Sequence, residues 1–279
     1  MIKCIDINAG EESNLINDFK LNGYGIIRDY LGKESTNNLL GLINNSYRDI
    51  NKNGKFSYPD MPDRDSKDKV IYNIFNLDKI FIDLLSTPII RKISIEILND
   101  EYYRFLPNEL PNYNLLYYNA RSSGKALDLH IDSHIPFTGS KTYMMQFLLL
   151  LEDSTEENGA TIVVPASHQS GSYTDRSTDK SISITGRAGD LIFWDSRLWH
   201  GTSENVTNKS RWALVATMGM WWVKPTIDIT GCLKDEIYQK LSDEQKQLLG
   251  FCSIPSRDPF ERVNCKCGYE YLKKSVKDY

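Results

Sequence analysis

The chain has 279 residues, 41% hydrophobic and 25% charged, as in an ordinary soluble globular protein. Its net charge of −4 argues against a basic surface, so we expect neither nucleic acid nor a membrane as a partner. The N-terminal stretch lacks the apolar core of a signal peptide, and the five cysteines lack the spacing of a disulfide framework, which predicts a cytoplasmic location. Cys265 and Cys267 have no second pair or nearby histidine, so we do not expect a metal site there.

The first part of the chain, about 1–100, has mainly helical periodicity. A short apolar run at 23–31 predicts a strand, and Ser35 or Thr36 is a candidate N-cap for the second helix. The polar, turn-rich stretch 51–69 predicts a surface loop. Its part from 52 to 69 and Arg121 are candidates for a lid. The predicted helices share apolar residues at helical spacing and cover 11–23, 32–50, 70–86 and 88–100.

From Tyr102 to about residue 222 the period changes to that of strands. Short strands separated by turn residues predict an all-β sandwich or barrel. One further helix is predicted over 233–250, followed by a loop-rich tail. Because the helices precede the strands and do not alternate with them, we expect helices packed on a mostly antiparallel core. The predicted strands are 113–119, 126–132, 142–151, 161–165, 181–185, 190–195 and 211–222.

The stretch LDLHIDSH, Leu127 to His134, places two histidines and two aspartates in eight positions. Strict alternation of apolar and polar residues predicts a strand with all four polar side chains on one face. His130 and Asp132 would lie side by side, where an imidazole and a carboxylate can bind one cation. A further histidine would complete a two-His, one-carboxylate set, which is diagnostic of non-haem Fe(II) oxygenases. Spacing alone leaves Asp128 and His134 open as ligands.

His168 and His200 are the remaining candidates for the third ligand. His200 follows the apolar strand 190–195, and Arg211 opens another strand after a polar turn, so the two are predicted to be neighbours across an antiparallel hairpin. A guanidinium near a metal ligand indicates an organic-acid cosubstrate, because arginine binds a carboxylate through two hydrogen bonds. Thr202 shares the face of His200 and could donate its hydroxyl to the same carboxylate.

The segments LHID, ENGATIVVPASH and GDLIFWDSRLWHG, followed by an arginine at position 211, resemble the phytanoyl-CoA dioxygenase family. The resemblance covers about 23–220 and implies an α+β or mainly β fold with a double-stranded β-helix (jelly-roll) core. It implies Fe(II) as cofactor, 2-oxoglutarate and O2 as cosubstrates, and a single catalytic domain over 1–279. Its helical part would cover about 1–100, its core about 102–222 and its C-terminal extension about 223–279.

The site residues of the family carry over to this chain motif by motif. His130, Asp132 and His200 match the iron ligands. Arg211 matches the residue that binds the distal carboxylate of 2-oxoglutarate, and Thr202 matches a hydroxyl that assists it. By this resemblance, these five residues form the predicted catalytic, metal and cosubstrate site.

Other polar and aromatic residues have less specific interpretations. Asn114 and Asn119 both precede the metal strand, and either could hydrogen-bond 2-oxoglutarate. His134 is interpreted as a pocket-wall or structural residue after the expected turn. His168 is interpreted as a loop histidine bonded to backbone, with contact to substrate as the alternative. The aromatic set expected to lie in the core is Tyr102, Tyr103, Tyr113, Tyr117 and Tyr118.

The chain departs from the family at positions that leave the metal triad intact. Ile131 stands where many members have Gln, Leu148 where many have Trp, and PASH replaces the usual PGSH at 165–168. Halogenating relatives have Ala or Gly at the carboxylate position, which frees a site for chloride. Asp132 therefore favours hydroxylation over halogenation.

The resemblance implies a dioxygenase that hydroxylates an unactivated C–H bond of a small molecule and releases succinate and CO2. The expected substrate is a natural-product, modified amino-acid or alkaloid intermediate, because a basic, glycine-rich cradle for the nucleotide of an acyl-CoA is not evident. Alternatives are desaturation or cyclisation by the same chemistry, a catalytically silent jelly-roll metal-binding protein, and an isomerase or hydrolase on a cupin-type barrel. The intact triad with Arg211 argues against the last two.

Overall fold

The structure, a computed structural model, describes residues 2, 4–5, 7–52, 68–100, 111–122, 124–173 and 180–255. The chain clusters into two compact units, of which the first comprises 1–72, 119–140 and 145–215 and the second comprises 73–118, 141–144 and 216–279. A single catalytic domain over 1–279 stays a prediction. Some predictions lie outside the described residues, namely those for most of the loop 51–69, Tyr102, Tyr103, Cys265 and Cys267.

The first helix shows how local sequence sets its limits. The Asn8 side chain accepts a hydrogen bond from Glu11 N, and the Glu11 side chain accepts one from Asn8 N at 2.9 Å. The helix ends where Gly23 takes φ +85°, a left-handed conformation that glycine adopts without steric cost. Within the described ranges no helix combines the length and apolar character needed to cross a membrane. The helices are α1 Ala9–Asn22, α2 Lys33–Lys52, α3 Ile80–Leu85, α4 Pro88–Leu98, α5 Ile229–Cys232, α6 Asp235–Tyr238 and α7 Asp243–Leu248.

The described strands are β1 Tyr24–Ile27, β2 Lys69–Ile71, β3 Tyr113–Ser122, β4 Leu127–His130, β5 Met144–Leu150, β6 Thr161–Val163, β7 Ile182–Ile184, β8 Leu191–Asp195, β9 His200–Thr202 and β10 Trp212–Met220. They form a six-stranded sheet in the order β1-β8-β5-β10-β3-β2 and a four-stranded sheet in the order β4-β9-β6-β7. Strands β5 and β8 run antiparallel, with Gln146 opposite Trp194. From β3 to β10 the chain contributes four strands to each sheet, as in a jelly roll.

The two faces of β8 have different partners in the first unit. Trp194 packs in an apolar cluster with Leu148 of β5 and Val163 of β6, which belong to different sheets. Phe193, on the opposite face, stacks on Phe19 of α1 with ring centroids 5.7 Å apart. Because successive strand residues point to opposite faces, the interior between the sheets lies on the Trp194 side and α1 covers the other side.

The predicted N-cap of α2 is wrong. The helix begins at Lys33, so Ser35 and Thr36 lie inside its first turn. The Thr36 hydroxyl donates a hydrogen bond to Gly32 O at 3.1 Å, four residues earlier, and caps no free amide. The helices predicted over 11–23 and 88–100 are confirmed as α1 and α4.

Two other predicted helices are interrupted. The segment 70–86 begins in β2 and becomes α-helical only at Ile80, because Asn73 takes a left-handed φ of +54° between them. The segment 233–250 contains the two short helices α6 and α7, because Ser242 starts a new helix with its own capping box. In both cases the apolar spacing is helical, but local turn chemistry divides the segment.

Candidate metal centre

The four-stranded sheet brings two histidines opposite each other. In the antiparallel pair of β4 and β9, His130 lies directly across from His200, and their ring centroids are 4.3 Å apart. Gly201 permits this close approach, because a Cβ there would lie 2.3 Å from the backbone oxygen of Leu127. Strand pairing therefore joins two ligands that are far apart in the sequence.

Asp132 completes the cluster from the turn that follows β4. Its Oδ2 lies 3.3 Å from His200 Nε2, and its Oδ1 lies 3.6 Å from His130 Nε2. One ligand atom from each of the three residues lies within 4.8 Å of the others. Two imidazoles and one carboxylate on one side of a cation leave three coordination positions open, which is the arrangement of non-haem Fe(II) sites.

Backbone carbonyls orient both imidazoles toward the centre. His130 Nδ1 lies 2.9 Å from Asp128 O, and His200 Nδ1 lies 2.9 Å from Leu198 O. A carbonyl can only accept a hydrogen bond, so the proton of each neutral ring is on Nδ1. The lone pairs on the two Nε2 atoms are then available to a metal, as in sites where a second hydrogen bond fixes the histidine tautomer.

The charges of the three side chains support one another. Burial favours a raised pKa for Asp132, but in the metal-free cluster the charge of His200 and hydrogen bonds from the Nε2–H groups of the protonated histidines outweigh it and hold the pKa well below its ordinary value. Burial favours a lowered pKa for His130, but its hydrogen bonds to Asp132 and to the Asp128 backbone outweigh it and raise the pKa above the ordinary 6.5. The cluster therefore has an ionised carboxylate at neutral pH, and protons compete with a cation for His130.

Arg211 and Thr202 are near each other, but not across one hairpin. Strand β9 belongs to the four-stranded sheet, whereas β10, which begins directly after Arg211, belongs to the six-stranded sheet. The predicted hairpin is therefore wrong. A Cβ built on Gly159 would lie 3.2 Å from Ser203 O and 3.7 Å from Arg211 Nε, so Gly159 has both Arg211 and the residue after Thr202 beside it.

Both residues carry buried donor atoms for which the described residues supply no acceptor. Arg211 is 3% exposed and its Nε has no hydrogen-bond partner there, and the same holds for the buried Thr202 Oγ1. Burial lowers the pKa of Arg211 to about 10, with Glu152 opposing the shift, so the guanidinium stays charged at neutral pH. A buried cationic donor beside a hydroxyl fits an anionic ligand such as a carboxylate.

The two candidate asparagines lie in different units. Asn119 is on β3 in the first unit and is fully buried. Asn114 belongs to the second unit, where its Nδ2 donates to Trp221 O at 3.1 Å and to Ser253 Oγ at 2.6 Å. These bonds engage the Asn114 amide nitrogen within its own unit, so we retain Asn119 as the proposed contact to a cosubstrate. A role of Asn114 at the centre stays a prediction.

The other two histidines are outside the three-residue cluster. His168 is 4% exposed and its Nε2 lies 3.3 Å from Lys20 O, as expected for a loop histidine bonded to backbone. Burial lowers the pKa of His168, which favours its neutral form. His134 takes φ +62° in the turn after β4, and its carbonyl accepts a hydrogen bond from the Tyr173 hydroxyl at 3.2 Å. Neither contact orients a ring nitrogen of these two histidines toward the three-residue cluster.

A buried ion pair near the cluster was missed by sequence reasoning. Arg197 Nη2 lies 2.7 Å from Asp195 Oδ2, and the two side chains are 3% and 1% exposed. Arg197 Nη1 donates to Gly139 O at 2.8 Å, and Ser133 N donates to Ser196 O at 3.0 Å. The pair therefore ties the turn before β9 to the segment that follows the carboxylate ligand. Its signal in the sequence is the Asp-x-Arg spacing inside FWDSRLWHG.

The fold and the cluster together define a jelly-roll protein with a two-His, one-carboxylate set of potential metal ligands. A model of the phytanoyl-CoA dioxygenase family matches residues 19–213, and the chain belongs to this family. Dioxygenase af480 of Aspergillus fumigatus is 26% identical over 190 residues, which cover 66% of this chain and 59% of that protein. Dioxygenase FUM3 of Gibberella moniliformis is 30% identical over 109 residues, which cover 39% of this chain and 36% of that protein. The chain thus spans less than two thirds of the length of these relatives.

Solved structures confirm the predicted jelly-roll core. The epimerase SnoN in complex with Fe3+, alpha ketoglutarate and nogalamycin RO aligns with a TM-score of 0.58 at 16% identity, covering 82% of this chain and 93% of that one. HygX from Streptomyces hygroscopicus, with nickel, 2-oxoglutarate and hygromycin B bound, aligns with a TM-score of 0.58 at 14% identity, covering 76% and 88%. At these identities the similarity concerns the fold.

Proposed function

We propose that the chain is a non-haem Fe(II)/2-oxoglutarate-dependent dioxygenase that hydroxylates an unactivated C–H bond of a small molecule. The observation that carries this proposal is a two-His, one-carboxylate cluster accompanied by the buried, charged Arg211, whose Nε finds no acceptor among the described residues. Membership of the phytanoyl-CoA dioxygenase family supports it. Further support comes from the fold neighbours SnoN and HygX, which were solved with a metal and 2-oxoglutarate bound.

The residues present fit both an iron ion and a 2-oxo dicarboxylate. The Nε2 atoms of His130 and His200 and the Asp132 carboxylate would hold Fe(II). Arg211 and Thr202 would bind the carboxylate of 2-oxoglutarate that is distal to the metal, which would satisfy two buried donors. When bound, Fe(II) and 2-oxoglutarate together activate O2 and supply the oxidising chemistry, with succinate and CO2 as co-products.

The chain itself orients the ligands and excludes water. The backbone carbonyls fix the rings of both histidines, and the ionised Asp132 offsets part of the charge of a divalent cation. Leu198 and Val163 belong to the apolar cluster of the interior, which keeps water away from one side of His200. A dry wall favours reaction with a bound substrate over side reactions with solvent.

Asp132 also bears on the choice between hydroxylation and halogenation. A carboxylate ligand occupies the coordination position that a halide would need, so we propose oxygenation. In the Asp132→Gly protein supplied with chloride, hydroxylation should be lost. The matched control is Asp128→Asn, because the exposed Asp128 side chain lies outside the cluster. Undiminished hydroxylation by the Asp132→Gly protein would mean that Asp132 is not a ligand.

We propose a natural-product, modified amino-acid or alkaloid intermediate as the substrate. Two fold neighbours support this class, since SnoN comes from nogalamycin biosynthesis and HygX has hygromycin B bound. SnoN is an epimerase, so inversion of a carbon centre is a second candidate reaction. Product mass under 18O2 separates the reactions: hydroxylation adds a labelled oxygen, desaturation or cyclisation removes two hydrogens, and epimerisation leaves the composition unchanged.

An anaerobic titration tests the proposed cofactor and cosubstrate. Fe(II) and 2-oxoglutarate added together to the protein should produce a visible metal-to-ligand charge-transfer band, which neither gives alone. Arg211→Ala should weaken 2-oxoglutarate binding by about tenfold to a hundredfold, the value of hydrogen bonds to a charged group. Arg28→Ala, at a half-exposed arginine, should leave the titration unchanged. Absence of the band in folded wild-type protein would refute the proposed function, and an unchanged Arg211→Ala titration would refute the role of Arg211.

A further inference from the structure

Trp194 forms part of the wall of the metal centre. Its side chain lies in the apolar interior of the first unit, with only 4% of the residue exposed. The centroid of its ring system lies 5.1 Å from that of His200, at an interplanar angle of 56°. Trp194 is on β8 of the six-stranded sheet and His200 on β9 of the four-stranded sheet, so the indole faces the ligand from the opposite sheet.

The indole N–H of Trp194 is a buried donor for which the described part of the chain supplies no acceptor. Its Nε1 is fully enclosed and has no hydrogen-bond partner there. The aliphatic side chains of its cluster, Leu148, Val163 and Leu198, offer no acceptor. Gln146, opposite Trp194 on β5, and the neighbouring His200 ring accept no hydrogen bond from it either. Leaving a donor buried and unsatisfied is unfavourable, so such an atom beside a ligand site indicates an acceptor supplied by the ligand.

The first unit contains two further buried hydrogen-bond donors without an acceptor among the described residues. They are Thr202 Oγ1 and Arg211 Nε. Thr202 lies two residues beyond His200 on β9, on the same face of the strand. Arg211 precedes Ala213 by two residues and so points to the same face, and the Ala213 side chain lies in the same cluster as Trp194. Three donors without matching acceptors are complementary to a ligand that carries several acceptor oxygens.

We propose that Trp194 is a positioning residue whose indole N–H donates a hydrogen bond to the 2-oxo-acid end of the bound cosubstrate. This inference rests on the proposed function. The ring contact with His200 places Trp194 near the metal, whereas Arg211 and Thr202 are proposed to bind the carboxylate at the far end. Trp194 would thus select for an acceptor oxygen at the metal-bound end and fix the angle at which the 2-oxo acid binds.

The test is an anaerobic titration of the Fe(II)-loaded protein with 2-oxoglutarate, read from the charge-transfer band. Trp194→Phe keeps an aromatic ring but removes the N–H, and we expect affinity to fall about tenfold to a hundredfold. The maximum of the charge-transfer band should also shift, because a hydrogen bond to the metal-chelating end of 2-oxoglutarate changes the energy of the ligand orbital that receives the electron. The affinity for Fe(II) should stay the same. A role limited to packing would not move the band.

Trp212→Phe is the matched control. Trp212 is 1% exposed, its Nε1 is also buried without a described partner, and its ring contacts Tyr47 with centroids 5.5 Å apart. Its side chain is on the face of β10 opposite to Ala213, away from the interior. We expect its affinity and band to equal those of the wild type. The inference would be overturned if Trp194→Phe and the wild type had the same 2-oxoglutarate affinity and band, or if both variants lost the same affinity. In either case, a charge-transfer band in the wild type would leave the proposed function standing.

A second measurement uses the unmodified protein, so it does not depend on the folding of a variant. In protein loaded with diamagnetic Zn(II) and labelled with 15N at the indoles of its five tryptophans, 2-oxoglutarate should move one indole N–H signal downfield. That signal should be the one broadened most when Co(II) replaces Zn(II), because Trp194 contacts a ligand ring. If the most broadened signal does not move on addition of 2-oxoglutarate, the inference is wrong. Without a wild-type charge-transfer band, the proposed function itself fails.

Discussion

Removing the guanidinium of Arg197 should destabilise the protein strongly. In Arg197→Met, the carboxylate of Asp195 would stay buried at 1% exposure while losing bonds of 2.9 Å to Nε and 2.7 Å to Nη2. The carbonyl of Gly139 would lose its bond from Nη1 as well. Breaking a buried ion pair by removing one partner typically costs 3–5 kcal/mol. Because Arg197 N still donates to Asp195 Oδ1 at 2.8 Å, we expect a loss of about 3 kcal/mol.

Urea unfolding of the metal-free protein measures this loss as a change in midpoint at constant slope. The matched control is Arg28→Met, since Arg28 pairs with Asp190 at 2.8 Å but its side chain is 54% exposed. We expect a smaller loss there, because Arg28 is half-exposed and the buried Asp190 carboxylate keeps hydrogen bonds from Asp29 N and Arg187 N. The double variant Asp195→Leu with Arg197→Met should recover much of the stability, because it leaves no uncompensated charge. A loss below about 1 kcal/mol in Arg197→Met would refute this reasoning.

Three further outcomes follow from the centre. Thr202→Val should weaken 2-oxoglutarate binding by about tenfold and leave Fe(II) affinity unchanged, because only the hydroxyl is lost; an equal loss of metal affinity would contradict the assigned role. Gly201→Ala should weaken Fe(II) binding, since its Cβ would lie 2.3 Å from Leu127 O and push β4 away from β9. Gly41→Ala, with open space around it, should leave Fe(II) binding unchanged, and calorimetric titration of both variants compares them. Because the pKa of His130 is raised above 6.5, Fe(II) affinity should fall as pH drops through that raised pKa and become independent of pH well above it. Anaerobic Fe(II) titrations at several pH values check this, and an affinity that is constant with pH would contradict it.

The strands and the grouping of the three candidate ligands could be predicted from the sequence because both depend on short-range patterns, whereas metal binding by these residues stays a prediction. The alternation around His130 defined the strand, and the resemblance through the motif at His200 supplied the third ligand. The structure adds the reason these two meet, which is the register of β4 and β9 around a glycine. The strand ends at His130, so Asp132 acts from a turn and not from the predicted strand.

The contacts that could not be predicted from the sequence are those that depend on which sheet each strand joins. The hairpin expected between His200 and Arg211 is wrong because consecutive strands β9 and β10 belong to different sheets. The wall residue Trp194 was missed for the same reason, because its contact with His200 lies across the interior and an apolar strand with a tryptophan is by itself typical of any core. The Asp195–Arg197 pair is local in sequence, but its burial and its bond to Gly139 O depend on the fold.

Iron-edge anomalous diffraction from anaerobic crystals soaked with Fe(II) and 2-oxoglutarate tests the metal centre most directly. We predict one strong anomalous peak within about 2.0–2.2 Å of the Nε2 atoms of His130 and His200 and a carboxylate oxygen of Asp132. Density for the cosubstrate should extend from that peak to the guanidinium of Arg211. A peak at other residues, or a metal at this cluster with no 2-oxo acid bound beside it, would contradict the proposed function.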